Sequence, residues 1–505
     1  MLWQLILIQA QSMKSTAAFV IVILSSFSAP RCGATIYNSD GSAANVQALT
    51  NIATDGDTIT LPAGTFVWTT GSTITKGITL QGAGSDLTVI ERSGTAPLIQ
   101  IQGLPSDLPV RVTGIRFNAH VGQNGDLTSI YVTGPSGGTW GLTQIRIDNC
   151  YFYGGQRNIV FLHRASGVVD HCTFQDVAIA TEVYGDDDYA WARAGAPQFG
   201  TADTTVFFED NYFIADGAIT YFDTLGDTFT GGRFTWRHNT FDLSAFSAWN
   251  FGSLITAHGN QAYWTGINDW NRGGIMCEFY ENNVIVSSAY RLLWFRGGRN
   301  LVANNTFSGI ISAFVHFSEE EPSSILPLRI GGWNAEDQVN NTFVWANTVN
   351  GQPQTDSMVR CWDTASDTFI QLGRDYWLVR PSLNTVTNYP QPGLPSLPGY
   401  PSPYSSPVTS WMPYTYPHPL TGSGPGPTPT PTATPSPTAT PPPCVATVPN
   451  FVGARMRTAA TLWEQAGFSP ANITITGGPG RRITWQSLPA GSLADCATAT
   501  ITVGP

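Results

Sequence analysis

The chain has 505 residues, enough for two or three domains, and its 24 basic and 35 acidic residues give a net charge of −11 at neutral pH. This acidic balance disfavours a nucleic-acid-binding protein, because nucleic acid demands a basic surface. It also disfavours unaided electrostatic capture of an acidic polysaccharide, although capture through bridging Ca²⁺ stays compatible with it.

The first 34 residues have the features of a secretory signal peptide. Lys14 supplies a positive charge, residues 17–24 form an apolar run, and residues 32–34 are a small-residue cleavage site. The apolar run is shorter than the roughly 18 residues that cross a bilayer. We therefore expect a secreted or cell-surface protein with no transmembrane segment after signal removal. The alternative is that the apolar run is retained as a membrane anchor.

A four-residue motif recurs seven times in the middle of the chain. Its second position is Asn or Cys, its fourth is Phe or Ile, and its shortest spacing is about 22 residues. The motif begins at Asn149, His171, Asp210, His238, Asn282, Asn304 and Asn340. Repeats of this length that are rich in β-branched and aromatic residues predict a solenoid of stacked β-coils.

Stacking places the same motif position of every coil directly above itself. We expect the Asn side chains to bond along one column, and the Phe rings to fill the interior as another. The predicted inward rings are those of Phe152, Phe174, Phe213, Phe241, Phe307 and Phe343. Cys150 and Cys172 occupy the Asn position on consecutive coils, where they could stack as thiols or form a bridge.

The segments 57–64 and 78–84 resemble the opening coils of the pectate-lyase-like superfamily, and the resemblance covers roughly residues 40–375. It implies an all-β domain over residues 35–375, folded as a right-handed parallel β-helix. That superfamily contains polysaccharide lyases, glycoside hydrolases and non-catalytic surface proteins, so the resemblance leaves the activity open.

The strand after each motif ends near an ionisable residue. These residues are His163, Glu182, Asp223, His258, Arg296 and His316. Stacked coils would bring them into a line on one face, which suits a linear polymer and acid–base catalysis. We predict catalytic roles for Glu182, Asp223, His258 and Arg296, and substrate binding by His163, His316 and Trp294. The alternative is that these are ordinary solvated strand ends.

Two insertions carry further candidates. Trp249, Trp264 and Trp270 lie in the longest insertion and could stack on sugar rings or cap the flank of the solenoid. Three consecutive carboxylates could ligate Ca²⁺ or form a solvated turn. They are Asp186, Asp187 and Asp188. No other cofactor is indicated, and Lys76 is the one lysine after the signal, which argues against a lysine-based lyase.

Residues 376–443 change in composition to a Pro-rich tail and linker. We expect the first part to be extended, laid along the solenoid, and the Pro/Thr-rich part to adopt polyproline II with a reach of roughly 60 Å.

Residues 444–505 resemble a PASTA domain, a small α+β module. The resemblance rests on the segments 448–453 and 486–491 and on a helical period over residues 459–466. It implies binding of peptidoglycan fragments, although some such domains bind nothing. Cys444 and Cys496 flank the segment, and in a secreted chain we expect a disulfide between them.

Together these features predict a secreted, carbohydrate-active β-helix enzyme that cleaves an extracellular polysaccharide, as a glycoside hydrolase or a polysaccharide lyase. The alternative is a non-catalytic surface or cell-wall-binding β-helix protein.

Overall fold

The computed structural model describes residues 33–119, 128–136, 140–185, 198–201, 205–216, 222–245, 251–259, 273–318, 320, 339–361, 370–383, 408–422, 445–466, 468–478, 480–495 and 499–505. The chain divides into two compact units, Met1–Pro425 and Gly426–Pro505.

Strands of the first unit build three long sheets, and neighbouring strands in a sheet belong to successive coils. Sheet A consists of β1 (Ile36–Asn38), β2 (Thr58–Thr60), β5 (Thr79–Gln81), β8 (Val110–Thr113), β11 (Leu142–Asp148), β14 (Ala165–Asp170), β17 (Val206–Glu209), β20 (Arg233–Arg237), β23 (Met276–Tyr280), β26 (Arg299–Ala303), β29 (Asn340–Trp345) and β33 (Tyr376–Trp377). Sheet B consists of β3 (Gly64–Trp68), β6 (Thr88–Arg92), β9 (Arg116–Asn118), β12 (Tyr151–Tyr153), β15 (Thr173–Gln175), β18 (Tyr212–Ile214), β21 (Thr240–Leu243), β24 (Asn283–Ala289), β27 (Thr306–Ile311), β30 (Thr348–Val349) and β31 (Gln352–Pro353).

Sheet C forms the third wall and carries the site described below. It consists of β4 (Ser72–Ile74), β7 (Ile99–Ile101), β10 (Thr128–Thr133), β13 (Arg157–Leu162), β16 (Thr181–Tyr184), β19 (Phe222–Phe229), β22 (Phe251–Ala257), β25 (Leu293–Phe295), β28 (Val315–Phe317) and β32 (Val359–Cys361). Every described pairing in the three sheets is parallel except that of β30 with β31. The chain passes through the sheets in turn, so the first unit is a parallel β-helix.

Aromatic rings stack along the interior. Centroids of the pairs Phe152–Phe174, Phe174–Phe213 and Phe213–Phe241 are 4.7, 4.8 and 4.6 Å apart, close to the strand spacing of about 4.8 Å. The predicted column is therefore confirmed over these coils, and Phe307 is also fully buried. Phe343 was assigned wrongly: it lies in sheet A beside Leu301, and Val349 takes the column position opposite Phe307.

The asparagine ladder is confirmed, with two shifts of register. Its members are Cys150, Cys172, Asn211, Asn239, Asn282, Asn305 and Asn347. Each Asn donates its backbone N–H to the next side-chain oxygen, for example Asn239 to Asn282 at 3.0 Å. Asn282 rather than Asn283, and Asn347 rather than Asn341, hold ladder positions. The motif was misread there because Glu281 and Ala346 occupy its first position.

That first position adopts a left-handed backbone. Asn149, His171, Asp210, His238 and Asn304 have φ between 51° and 57°, a region that Asn, Asp and His enter more readily than other residues. Glu281 and Ala346 adopt the same conformation, with φ of 57° and 53°. The motif is thus a left-handed turn residue followed by a ladder residue, and the turn position also accepts Glu and Ala, as the ladder position also accepts Cys.

Helix α1 (Ala43–Ile52) covers the first coil. Ser42 caps its N-terminus by accepting a hydrogen bond from the Asn45 amide, and Val46 is fully buried. Gln47 reaches the edge strand β4: its oxygen accepts from the Thr73 amide at 2.7 Å, and its nitrogen donates to the Thr73 carbonyl at 3.3 Å.

Residues 408–422, which we call the strap, lie across the outer face of sheet A and end in helix α2 (Pro419–Gly422). Trp411 packs edge-on against Tyr280 and Trp345 and donates to buried Glu278 at 2.9 Å. Arg237, itself paired with Glu209 at 2.6 Å, donates to two strap carbonyls. The described residues 408–422 of the tail therefore lie along the solenoid, as expected for this part of the chain.

In its described residues the second unit contains helix α3 (Ala459–Gln465) and five short strands: β34 (Val445–Thr447), β35 (Ile473–Ile475), β36 (Trp485–Gln486), β37 (Leu493–Asp495) and β38 (Ile501–Gly504). Its core gathers Phe451, Ala459, Trp463, Phe468 and Val503. The expected helix is present, and its buried residues Ala459 and Trp463 lie on one face.

Cysteine residues of the described chain are free thiols. Cys150 and Cys172 are both buried and unbridged, and burial raises the pKa of Cys172 well above its usual value. Cys444 and Cys496 lie outside the described residues, so their disulfide stays a prediction. In the described part of the chain, no helix combines the length and the hydropathy that crossing a bilayer requires.

Candidate active site on sheet C

Sheet C presents two parallel lines of side chains away from the core. The strands alternate, with Ile99, Ile101, Phe161, Val183 and Phe295 among the inward residues. The first outward line, which we call the central column, consists of Thr73, Gln100, Tyr131, Val160, Glu182, Asp227, Thr256, Trp294, His316 and Arg360.

The second line, which we call the end row, follows two residues later on each coil. It consists of Thr75, Gln102, Thr133, Leu162, Tyr184, Phe229, His258, Arg296 and Ser318. Backbone bonds keep the register past the strand ends: the His258 amide donates to the Thr228 carbonyl, and the Arg296 amide to the Ala257 carbonyl. The predicted line of ionisable groups is therefore two lines rather than one.

Glu182 and Asp227 are paired in register on adjacent coils of the central column. Glu182 is buried, lies 2.9 Å from Arg157 and accepts a 3.0 Å bond from the Tyr184 hydroxyl. Asp227 accepts from the Thr228 amide at 2.9 Å. Asp223, the carboxylate predicted from the sequence, lies near the start of β19 and its side chain is not among those described, so Asp227 takes the place that was assigned to it.

His258 lies at the centre of a charged cluster. Its Nδ1 is 3.0 Å from Glu320 and its Nε2 is 3.2 Å from Asp227. Arg296 contacts His258 itself and Glu320: its guanidinium lies 2.6 Å from His258 Nε2 and 2.6 Å from a Glu320 oxygen. Phe229 stacks on the imidazole with centroids 3.8 Å apart. Two predicted residues, His258 and Arg296, thus meet two that were not predicted, Asp227 and Glu320.

The charges of the cluster set its protonation. Burial and the Arg296 guanidinium lower the pKa of His258, but Asp227 and Glu320 raise it further, and the net pKa lies above its usual value. Burial raises the pKa of Glu320, whereas His258 and Arg296 lower it by more. The net pKa of Glu320 therefore lies below its usual value.

Proton uptake changes what His258 Nε2 bonds to. The neutral imidazole donates from Nδ1 to Glu320 and accepts at Nε2 from Arg296. The protonated imidazole instead directs an Nε2–H towards Asp227. One proton therefore switches the partner of Nε2 between a guanidinium and a carboxylate.

Trp294 and His316 lie one and two coils further along the central column. The guanidinium carbons of Arg291 and Arg296 lie 3.6 and 4.2 Å from the Trp294 ring centroid, so its indole is stacked on cations instead of standing open. His316 accepts from Arg360 at 3.0 Å, and burial together with Arg360 and Arg291 lowers its pKa to about 4.

Of the remaining predicted residues, the one that the structure describes does not join the cluster. His163 adopts a left-handed φ of 58° directly after β13 and leaves the end row, because Leu162 holds that position. Trp249, Trp264, Trp270, Asp186, Asp187 and Asp188 lie outside the described residues. Among the residues that are described, no group of three or more His, Cys, Asp or Glu side chains could hold a metal ion.

Comparison with known proteins gives distant structural similarities. No protein-family model matches the chain, and no curated protein matches it with significance. The chain is similar to a solved alginate lyase from Paenibacillus sp., with 15% identity, 56% of this chain and 99% of that chain covered, and a TM-score of 0.30. It is also similar to a PL6 family polysaccharide lyase from Pseudopedobacter saltans, with 13% identity, coverage of 66% and 94%, and a TM-score of 0.31.

A third similar structure is the catalytic unit of a GH87 α-1,3-glucanase from Streptomyces thermodiastaticus, with 15% identity, 67% of each chain covered and a TM-score of 0.26. At these identities and TM-scores the similarities decide neither activity nor substrate. The assignment of a parallel β-helix rests on the strand register.

Proposed function

We propose that the chain is a secreted enzyme that cleaves a linear extracellular polysaccharide, as a glycoside hydrolase or a polysaccharide lyase. The observation that carries the proposal is the cluster of Asp227, His258, Arg296 and Glu320 on the outward face of sheet C. A straight, parallel array of strand ends suits a linear polymer, and general acid–base groups with interacting charges suit cleavage of its linkages.

Roles follow from the contacts. Asp227 and His258 exchange protons with the substrate, because Nε2 changes partner on protonation. Glu320 and Arg296 are positioning residues that hold the imidazole from both sides. Glu182, one coil from Asp227, provides the second carboxylate, and a spacing of one coil is near the roughly 5 Å separation of retaining glycosidases.

The products of a polysaccharide panel decide between the two reaction classes. New reducing ends without ultraviolet absorbance mean hydrolysis, and both signals together mean a lyase. For the polymer that is cleaved, Asp227→Asn and His258→Gln should each lower kcat by about 10²–10⁴-fold. Asp86→Asn, at an exposed carboxylate away from sheet C, is the matched control. Unchanged kcat in both site variants would refute the assignment.

A second candidate is a non-catalytic polysaccharide- or wall-binding protein, which is favoured by the burial of the cluster. The side chains of Asp227, His258, Glu320 and Arg296 are only 9%, 10%, 7% and 14% exposed, as in a network that joins strand ends. Retention of the protein on a polysaccharide gel, with neither reducing ends nor absorbance from the whole panel, would support this candidate.

Further parts of the proposal concern location and binding. We propose that the second unit is a PASTA-like module that binds peptidoglycan, that Cys444 and Cys496 bridge it, and that the protein is secreted or wall-associated. Ca²⁺ held by Asp186, Asp187 and Asp188 is proposed on their carboxylate chemistry alone. A pull-down of residues 444–505 on purified peptidoglycan, with and without reductant, tests the module.

A further inference from the structure

Sheet C also borders a cavity of about 500 Å³ on its first coils, away from the charged cluster. Its lining includes Thr75, Gln102 and Thr133 of the end row, and also Gly103, Gly134, Ser136 and Trp140. Its volume lies within the 300–1,000 Å³ range of small-molecule sites.

The lining is neutral. Hydroxyl and amide side chains, two leucines, a proline and one indole surround the cavity together with backbone groups, and none of the described lining residues is ionisable. Trp140 is 38% exposed, and no cation–π contact to its ring is found among the described residues, in contrast to the Arg-stacked Trp294. An open indole beside hydroxyl and amide groups matches the apolar face and the polar edge of a sugar ring.

The cavity is in line with the cluster. Thr133 and His258 belong to the same end row, on β10 and β22, with β13, β16 and β19 between them. Four strand spacings of about 4.8 Å place the two roughly 19 Å apart along the helix axis. Leu162, Tyr184 and Phe229 connect them as an uncharged strip.

We propose that this cavity binds a neutral sugar unit of the substrate polysaccharide, several units away from the bond that is cleaved. The proposal rests on the proposed function in that both sites engage one polymer chain, and it adds that the polymer is neutral at this position. The site therefore contributes affinity for long chains and nothing to the chemical step.

Binding and cleavage are measured separately. Affinity electrophoresis in gels containing laminarin, dextran, hydroxyethyl cellulose or arabinoxylan, with polygalacturonate as the charged comparison, gives Kd values for the full chain. We expect a neutral polymer to retard the wild type, and Trp140→Ala to weaken its Kd about tenfold. Tyr212→Ala, which removes an equally exposed ring (38%) from sheet B, should leave Kd unchanged.

A second variant separates loss of binding from loss of folding. Thr75→Tyr fills the cavity from an exposed position and should weaken binding as Trp140→Ala does, with the melting temperature unchanged. On a cleaved substrate, both variants should raise KM for oligosaccharides that span roughly 19 Å and leave kcat unchanged.

Each result has one meaning for this proposal. Retardation of the wild type by none of the neutral polymers, or by polygalacturonate alone, overturns it, and so does equal retardation of wild type and Trp140→Ala. Loss of binding in Trp140→Ala and Thr75→Tyr supports it even when no polymer is cleaved, and in that case the proposed cleavage activity alone fails.

Discussion

Each buried ladder amide uses all of its hydrogen-bonding groups. Asn282 accepts at its side-chain oxygen from the backbone and side chain of Asn239, and donates from its side-chain nitrogen to the Trp236 carbonyl and to Asn305. Removal of such an amide leaves its buried partners without a hydrogen bond and without water to replace it. Each unsatisfied partner lowers the free energy of unfolding by roughly 1–3 kcal/mol. The neighbouring Asn283 points to solvent.

This contrast predicts opposite outcomes for adjacent, chemically identical residues. Asn282→Ala should lower the free energy of unfolding by about 2–4 kcal/mol, whereas Asn283→Ala should change it by less than about 0.5 kcal/mol. Urea titration followed by circular dichroism measures both. A larger loss for Asn283→Ala would support the register that the motif alone suggested, and equal losses would contradict the assignment of Asn282 to the ladder.

The lowered pKa of His316 predicts how the stability of the fold depends on pH. Its folded pKa of about 4 lies below the usual 6.5, so the unfolded chain takes up the proton first. The stability that neutral His316 contributes is complete above pH 6.5 and is lost as the pH falls from 6.5 to 4. The loss approaches about 3 kcal/mol at pH 4.

His316→Gln removes the titration and keeps a hydrogen-bonding side chain. We expect the variant to lose less of its thermal midpoint than the wild type between pH 7 and pH 4, whatever its starting stability at pH 7. His171→Gln is the control, because Asp170 raises the pKa of that exposed histidine. Parallel pH profiles of wild type and His316→Gln would contradict the assignment.

At the scale of elements, the strap depends on one anchored side chain. Trp411 is 6% exposed and fills the space between Tyr280 and Trp345, while the next residue, Met412, is 77% exposed. Trp411 also donates to Glu278, whose pKa is raised by burial. Removal of the Trp411 side chain leaves a cavity between Tyr280 and Trp345, and it leaves the Glu278 carboxylate with one hydrogen-bond donor fewer.

Trp411→Ala should therefore destabilise the first unit by about 3–5 kcal/mol, and Met412→Ala should be nearly silent. Limited proteolysis followed by mass spectrometry should detect cleavage within residues 408–422 in the tryptophan variant before the solenoid itself is cut. Resistance of the strap in Trp411→Ala would show that its remaining hydrogen bonds, including those of Arg237 and Arg146 to strap carbonyls, hold it without the indole.

Sequence patterns predicted elements better than registers. The repeat predicted the parallel solenoid, the aromatic column and the ladder, because stacking forces each position to repeat. The pattern failed at Asn282 and Asn283 because the left-handed turn lies at Glu281, a residue type outside the motif, and this turn decides which of the two Asn residues enters the core. Phe343 was misplaced for the same reason: the left-handed turn of this coil lies at Ala346, so Asn347 and Val349, and not Asn341 and Phe343, hold the ladder and column positions.

The candidate site was predicted in part. His258, Arg296 and Glu182 were found because each is an ionisable residue near the end of an apolar strand. Asp227 was missed because β19 extends to Phe229 and shifts the outward position four residues past Asp223. Glu320 lies beyond β28, and no strand period relates it to His258. Contacts between a strand and the loop of a later coil carry no local sequence signal.

At the scale of the molecule, the two units should fold independently. The second unit has its own core around Trp463, which stacks on Phe468 with centroids 3.8 Å apart. Residues 444–505 expressed alone under oxidising conditions should melt cooperatively, and reduction should lower the midpoint if Cys444 and Cys496 are bridged. Trp463→Ala should abolish the transition. A disordered oxidised fragment would refute the boundary.

Two glutamines make hydrogen bonds at opposite ends of the stack of coils. Gln47 bonds to both backbone groups of Thr73 on the edge strand β4, and Gln354 accepts from the last ladder amide, that of Asn347. Beside it, β31 turns antiparallel and contains Pro353. Stacked coils with open ends would offer a template on which a second copy could continue the same register. Side-chain amides at these two edges make hydrogen bonds that one further coil would otherwise make, so these edges leave fewer polar groups open to a second copy.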